Sequence, residues 1–407
     1  MDFSLGEEER LFRESVASFL EKEVGDKWRE IDERGLIPTD LILKMGGHGL
    51  FAIPVPEEYG GQGGNFTLAA IAAEEIGYRD PSMSLAVLTL LNNAWPFILH
   101  LYGSDEAKAR VLEAVGRGRG FFGIASTEPR GGSDVAGIET RARRADGKWI
   151  VSGEKIYISG VREGLEQLEL GGWLLLARSG SPEDRHRGIT AFCFIGNEGG
   201  SLARGLEYSI LETIGRHGIS TGILSLREVE IGDQMVVGGE NRGFYVAMEG
   251  FNLARLLVAA ANVGAARWAL ERAVEWARRR ELFNKPIASF QGVSFPLAEL
   301  AAELESTKLL VYKAAWMADR IYIRGEPGLK PRDLSFYSAS AKLKAVELSL
   351  RASEHLLKTL GAASYIKETG AYRNFLGVLS YAVGAEGTQN IMKHIIAREI
   401  IGREYVG

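Results

Sequence analysis

Gly123-Ile124-Ala125-Ser126-Thr127-Glu128-Pro129-Arg130-Gly131-Gly132-Ser133-Asp134 opens as a short apolar run, breaks at Pro129 and turns through two glycines into Ser133 and Asp134. Proline fixes φ and removes a donor, while paired glycines admit positive φ and let backbone approach a ligand closely. With hydroxyls at Thr127 and Ser133 and free N–H groups, the loop suits the edge of a polar ring or a phosphate. It equally suits a surface turn capped by Ser133 or Asp134, because short Gly-rich motifs recur by chance. The periodicity of the chain also changes here, and that change sets the fold.

Upstream, the pattern is helical. Ser4-Leu5-Gly6-Glu7 reads as a capping box, and Leu11, Phe12, Val16, Phe19, Leu20 and Val24 follow at helical spacing. A second helix runs from Thr39 to Gly46-Gly47, Pro54 to Gly64 reads as loop, and further helices fill Phe66 to about Val115. Downstream of Phe121 the runs are short and β-type: Trp149 to Ile158, Trp173 to Ala177, Ile189 to Ile195 and Ile223 to Val229. The polar segment Arg162 to Gly171 and the charged turn Pro182 to Arg187 read as excursions from that domain. After Gly243 the helical period returns, with one helix of about thirty residues from Phe251 to Trp276 and others over Ser294–Arg324 and Phe336–Leu360. Pro296 kinks the second of these or marks its first turn. The expected class is a multidomain α+β protein: a helical domain over 1–120, an antiparallel β-sandwich or barrel over 121–238, and a helical bundle over 239–407.

Composition narrows the function. The 407 residues are 46% hydrophobic and 25% charged, with net charge −5, so nothing points to nucleic acid. The single cysteine, Cys193, excludes an internal disulfide and sits in an apolar run, which reads as a buried structural thiol in a reducing compartment. The acidic start, Glu7-Glu8-Glu9, is unlike a signal or transit peptide, and a cytoplasmic protein is expected. No apolar run approaches the ~18 residues of a membrane span, so no membrane segment is expected. The six histidines show no metal-ligand spacing. Gly118-Arg119-Gly120-Phe121-Phe122-Gly123 matches GxGxxG, but a helix precedes it and a strand follows, the reverse of a dinucleotide site.

Read together, the segments resemble the acyl-CoA dehydrogenase family over essentially the whole chain. The family's TEPxxGSD loop matches Thr127-Glu128-Pro129 and Gly132-Ser133-Asp134, and its Ile-x-Thr matches Ile138 and Thr140. Its RxxFGxPIxxFQ matches Arg280, Phe283, Pro286, Ile287, Phe290 and Gln291. Its PEEYGG loop matches Pro56 to Gly61, and its EGT element matches Glu386-Gly387-Thr388. Five motifs in the family's order, on a helix–β–helix plan, make the resemblance specific.

The resemblance implies FAD-dependent α,β-dehydrogenation of an acyl-CoA to the trans-2-enoyl-CoA. It implies flavin contacts from Ile124, Ser126, Thr127, Gly132 and Ser133, with Tyr157-Ile158-Ser159 standing for the family's Trp-Ile-Thr strand beside the ring. Arg280, Phe283 and Gln291 would reach the FAD of a neighbouring subunit in a homo-oligomer, most often a tetramer, and Lys358, Gly361 and Thr388 complete the cofactor set. Ser133, Arg255, Ala385 and Gly387 would contact the acyl-CoA substrate, and an electron-transfer flavoprotein would accept the electrons. The base would be Glu386, in a stretch without other charges where desolvation raises a carboxyl pKa. The alternative base position on the long helix is Ala254, which cannot serve. Thr388 reads as the N-cap of the last helix.

There are departures. The family's QxxGGxG loop reads Lys358-Thr359-Leu360-Gly361-Ala362-Ala363-Ser364, its Arg-Asp pair before the base reads Gly377-Val378, and Asn252 replaces an Asp. Ala385 and Ala254 leave room beside the α and β carbons for branched or cyclic acyl groups, with Trp95 limiting long straight chains. An oxidase or flavin monooxygenase on the same fold, and a degenerate binding paralogue, remain as alternatives.

Overall fold

The computed structural model describes residues 4–406. The N-terminal part is helical: α1 (Glu7–Glu23), α2 (Trp28–Arg34), α3 (Thr39–Gly47), α4 (Phe66–Arg79), α5 (Ser84–Tyr102) and α6 (Asp105–Gly116). No side chain caps α1, whose N-cap is Gly6, so the capping box read at Ser4–Glu7 is not what starts it. α4 is capped twice. Asn65 accepts from Leu68 N at 2.9 Å, and Asp319, far along the chain, accepts from Phe66 N at 2.6 Å and Thr67 N at 3.2 Å. These bonds satisfy the orphan donors of the first turn and tie the two helical regions together.

The β region holds β1 (Gly120–Ala125), β2 (Arg141–Ala145), β3 (Lys148–Ser159), β4 (Leu170–Arg178), β5 (Ile189–Glu198), β6 (Ser201–Leu202), β7 (Leu206–Ile210), β8 (Thr221–Gly232) and β9 (Val236–Val237). They form one sheet in the order β6-β5-β4-β2-β3-β8-β7, with β1 on β4 and β9 on β5. The sheet is mixed rather than wholly antiparallel, because β1 runs parallel to β4, Gly123 opposite Trp173. Such a pairing needs a long crossover and leaves no local trace in sequence. The segment Arg162–Gly171 is not an excursion. Glu163–Gln167 forms one π-helical turn, Glu163 is fully buried and accepts from Ser220 N at 3.1 Å and Oγ at 2.5 Å, and Gln167 reaches the Ile37 carbonyl at 3.2 Å.

The C-terminal part is α7 (Gly243–Arg279), a small hairpin of β10 (Glu281–Leu282) and β11 (Lys285–Pro286), α8 (Gln291–Ala318), α9 (Pro331–Leu360), α10 (Ala371–Val383) and α11 (Gln389–Ile400). α8 starts three residues earlier than expected, so Pro296 lies in its second turn. α7 packs against α4 and α9. At the α4–α7 crossing Gly264 lies on the Glu74 carbonyl and Gly77 on the Ala261 carbonyl, too close for a Cβ at either place. Contrary to the expectation above, α5 and α7 are each long and apolar enough to cross a membrane by length and composition. Their most apolar windows are 89% and 78% buried inside the protein, where they form its core.

Candidate active site

The turn between α10 and α11 carries a strained backbone held by buried side chains. α10 ends at Val383, with Gly384 as its C-cap, and the Thr388 hydroxyl accepts from Ile391 N at 3.4 Å, opening α11 as its N-cap. Between them Glu386 has φ +58° and Gly387 φ +98°. A non-glycine residue in the left-handed region costs ~1–3 kcal/mol and persists only where its surroundings fix it. Here they do: Arg255 Nε on α7 donates to the Glu386 carbonyl at 3.0 Å, and Lys342 Nζ on α9 donates to the Ala385 carbonyl at 2.7 Å and to that of Gly387.

Among the described residues the Glu386 carboxylate has no hydrogen-bond partner. Its Oε2 is out of water and makes no hydrogen bond. Burial pushes its pKa up to about 7, against the pull of Arg255 and Lys342. The upward shift was expected from the apolar neighbours in sequence; the setting without charges was not what the fold provides. Two buried cations stand there, and burial lowers both, Arg255 to about 10 and Lys342 to about 7. Lys342 was missed because the lysines of Ser338-Ala339-Ser340-Ala341-Lys342-Leu343-Lys344 read as part of a solvated helix face. Ala254 is fully buried and Ala385 half-buried. Trp95 is fully buried, its ring T-shaped to that of Phe251 with centroids 5.4 Å apart, and its Nε1 has no partner among the described residues.

A second set gathers on the sheet. Ile124 is half-buried at the end of β1, Ser126 is buried, and Gly132 and Ser133 are exposed at the turn. The turn is fastened to β3 by Ile156 N on the Thr127 carbonyl at 2.9 Å and by Lys155 Nζ on Glu128 Oε1 at 2.7 Å. The register of β3 against β8 slips between Ile156 and Ile158, and at that bulge Tyr157 takes φ +60° with its side chain 66% exposed. A large aromatic held left-handed and presented to solvent inside a strand points to a function for the strain. The hydroxyls of Thr127, Ser133 and Ser159 make no hydrogen bond among the described residues. An open aromatic face with free hydroxyls around it fits a planar ring with polar edges.

The two sets are joined through residues 211–220. Thr221 pairs with Ser159 at the end of β3, and a few residues earlier the Arg216 guanidinium lies 6.0 Å from the Tyr381 ring on α10. His217 N also donates to Asp32 Oδ1 at 2.9 Å, and Arg373 on α10 pairs with that same Asp32. The buried polar pair on α10 is therefore Arg373 and Asn374, one turn before the Gly377-Val378 singled out in the sequence. Gly377 lies on the Ser82 carbonyl, where a side chain would clash.

The remaining expected residues lie elsewhere. Arg280, Phe283 and Gln291 are exposed on the α7–α8 hairpin, Phe283 at 86% and φ +53°, and no side-chain hydrogen bond engages Arg280 or Gln291 among the described residues. Lys358 pairs with Glu354 at 2.7 Å, and Gly361 ends α9 at φ +61°. Cys193 is buried and its thiol is pushed up to about 12 by burial. Among the described residues no group of three or more His, Cys, Asp or Glu side chains could hold a metal ion.

Descriptions of the acyl-CoA dehydrogenase N-terminal, middle and C-terminal domains match residues 6–119, 123–229 and 241–401. The chain is 30% identical over 402 residues to a probable acyl-CoA dehydrogenase, YngJ, of Bacillus subtilis, covering 98% of this chain and 100% of the relative. It is 30% identical over 398 residues to the 3-(aryl)acrylate reductase of Clostridium sporogenes, covering 97% and 99%. The solved butyryl-CoA dehydrogenase of Megasphaera elsdenii superposes with a TM-score of 0.88 at 26% identity, over 98% of this chain and 100% of that one. Matched by all three domains in order and along nearly its whole length, this chain belongs to the acyl-CoA dehydrogenase family and is an FAD-dependent oxidoreductase.

Proposed function

We propose that the chain dehydrogenates an acyl-CoA thioester at its α and β carbons, with Glu386 as the general base. One observation carries this: a carboxylate with an unpaired, buried Oε2 and a pKa raised to about 7, held on a turn fixed by Arg255 and Lys342. An α-proton beside a thioester is removed best by a base whose pKa lies near the operating pH. When bound, FAD would supply the acceptor for the hydride that leaves the β-carbon. The proton goes to the Glu386 carboxylate, and the product is the trans-2-enoyl-CoA. Arg255 holds the Glu386 backbone and, with Ala385, Gly387 and Ser133, borders the thioester.

Tyr157 offers its exposed face to the flavin, and Ser159, Thr127 and Ser133 offer their unengaged hydroxyls to its polar edges. Ile124, Ser126 and Gly132 supply the backbone of that wall, and Thr388, Lys358 and Gly361 the more distant contacts. The exposed Arg280, Phe283 and Gln291 reach the cofactor of a second subunit, which makes a homo-oligomer, a tetramer in our reading, part of the site. An electron-transfer flavoprotein takes the electrons onward. The small Ala254 and Ala385 favour branched or cyclic acyl groups.

The kinship with an acrylate reductase favours a second reading, the same carbon–carbon reaction of the thioester run towards the saturated acyl group. A carboxyl that titrates near 7 can give a proton as readily as take one, so Glu386 serves either direction. The test is anaerobic mixing of the yellow protein with a panel of straight, branched, cyclic and aryl acyl-CoAs. Bleaching by a saturated thioester supports dehydrogenation. Bleaching by none, with re-oxidation of the dithionite-reduced protein by an enoyl or aryl-acryloyl thioester, supports the reductive reading. A panel without effect in either direction overturns both.

A further inference from the structure

Lys342 is a buried ammonium that touches no reacting atom in the reaction as written above. It is 1% exposed, and among the described residues it pairs with no carboxylate within salt-bridge distance. A charge taken out of water without a counter-ion is costly, so its hydrogen bonds must be worth the placement. Those bonds go to two carbonyls, Ala385 at 2.7 Å and Gly387, one on each side of Glu386. The carbonyl between them accepts from Arg255, which is itself anchored at 3.1 Å on Asn252 Oδ1; the Asn252 amide donates to Ser335 Oγ at 2.9 Å. Three successive carbonyls are thus gripped from two helices, and the residue in the middle is the one with φ +58°.

We infer that Lys342 is a positioning residue for the general base: by holding the carbonyls on both sides of Glu386 it fixes the left-handed turn that aims the carboxylate into the site. The inference rests on the reading of Glu386 as base. Geometry is the first part of the effect, since a displacement of about 1 Å at a reacting group can cost ~10²-fold in rate. Charge is the second. α9 packs against α7, α8, α10 and α11, and of the charged groups on these elements and their connecting turns, Arg255 and Glu386 are the two that act on Lys342 among the described residues. The ammonium opposes the rise that burial imposes on the Glu386 carboxyl. Losing it therefore moves the titration of Glu386 to higher pH, whereas a purely structural filler would leave it in place.

The experiment compares the FAD-loaded wild type with Lys342→Met, Lys342→Arg and Glu386→Gln. Two quantities are measured: anaerobic flavin bleaching by the best acyl-CoA across pH, and hydrogen exchange of residues 384–388 in the absence of substrate. Lys342→Met is expected to lose ~10–100-fold in bleaching rate, to shift the rise of rate to higher pH, and to exchange faster in the turn. Lys342→Arg keeps the charge, so it should recover part of the rate and should not move the rise upward. If the methionine variant does not fold, Lys342→Gln, which is uncharged and can still donate to one carbonyl, is read by the same pH shift. A wild-type rate and profile in the uncharged variants, or a loss of rate with an unmoved profile and unchanged exchange, overturns the inference while Glu386→Gln remains inactive. Full activity of Glu386→Gln overturns the base assignment, and the inference falls with it.

Discussion

Lys155 Nζ lies 2.7 Å from Glu128 Oε1, with neither side chain reaching water: 0% and 6% are exposed. The same ammonium donates to the Ser126 carbonyl at 3.2 Å, and the same carboxylate accepts from Glu139 N at 2.6 Å and Thr140 N at 3.0 Å. A single buried pair thus closes the loop over residues 126–140 onto β3, a few residues from the open face of Tyr157. Burial alone would raise the Glu128 carboxyl, but Lys155 and the hydrogen bonds hold it below the usual range. Lys155 moves the other way from an ordinary ion pair, down to about 8, because burial outweighs its one carboxylate.

Removing one partner of such a pair strands the other charge. Glu128→Gln keeps shape and leaves the Lys155 ammonium unpaired in the interior, which is expected to cost ~3–5 kcal/mol in denaturant unfolding. Lys155→Met combined with Glu128→Gln should recover a good part of that loss, since neither charge is left. A single-variant cost below ~1 kcal/mol, the range of exposed pairs, would show that the pair is solvated. The sign with pH follows from the depressed Glu128 pKa. Its contribution is present above the unfolded value of about 4.5 and is lost as pH falls through the lower folded value.

Glu386 has the opposite linkage. Its folded pKa stands near 7, above the ordinary 4.5, so its contribution to stability is complete below about 4.5 and is lost as pH rises through 7. A base is active when ionised, so flavin reduction should rise through the same interval. Activity gained between pH 5 and 8 is accompanied by a loss of stability from this group. Rapid-mixing rates across pH should show a rise centred near 7. A rate that is flat from pH 5 to 8 would remove the carboxyl from the rate-determining proton transfer.

Assembly provides another prediction. Arg280 and Phe283 project from the α7–α8 hairpin, Phe283 86% exposed and Arg280 free of any side-chain hydrogen bond among the described residues. If they engage a neighbour's cofactor, Arg280→Glu lowers FAD content and oligomer mass together, because a ligand that binds only the assembled form stabilises it by mass action. Sedimentation and the flavin-to-protein absorbance ratio read both at once. A monomeric wild type with full flavin content would contradict the shared site.

What was legible in the sequence was what repeats locally. The period of α7, the proline–glycine break at Pro129, and the N-cap at Thr388 are short-range signals, and each marked its element. The left-handed turn at Glu386-Gly387 and the bulge at Tyr157 are held by distant groups, Lys342 and Arg255 in one case and Thr127 and β8 in the other. No window of sequence contains both partners. The same reason hid Glu163, whose charged neighbourhood looked like a surface excursion until Ser220 was found beside it. It also hid the buried polar pair Arg373-Asn374 on α10, since Arg373 is defined by Asp32, more than three hundred residues away.

The decisive prediction is Glu386→Gln. Glutamine keeps the length and one acceptor of the side chain and removes its basicity, and the turn itself is held through main-chain carbonyls that the substitution does not touch. Folding and FAD content should therefore stay close to wild type. Part of the change is favourable to the fold, because a buried carboxylate with an unpaired Oε2 becomes a neutral amide. Lys342 and Arg255, relieved of the one nearby anion, should each titrate at lower pH, as Glu386 raises both. Thioester binding should persist, since it does not depend on proton transfer. What disappears is the acceptor for the α-proton. General-base catalysis is worth ~10²–10⁴-fold, and because the hydride cannot leave unless the proton does, the bleaching rate should fall by at least ~10²-fold. A yellow, folded, thioester-binding variant that bleaches within a few-fold of wild type would mean that another group takes the proton, and Ala254, on the long helix, cannot be that group.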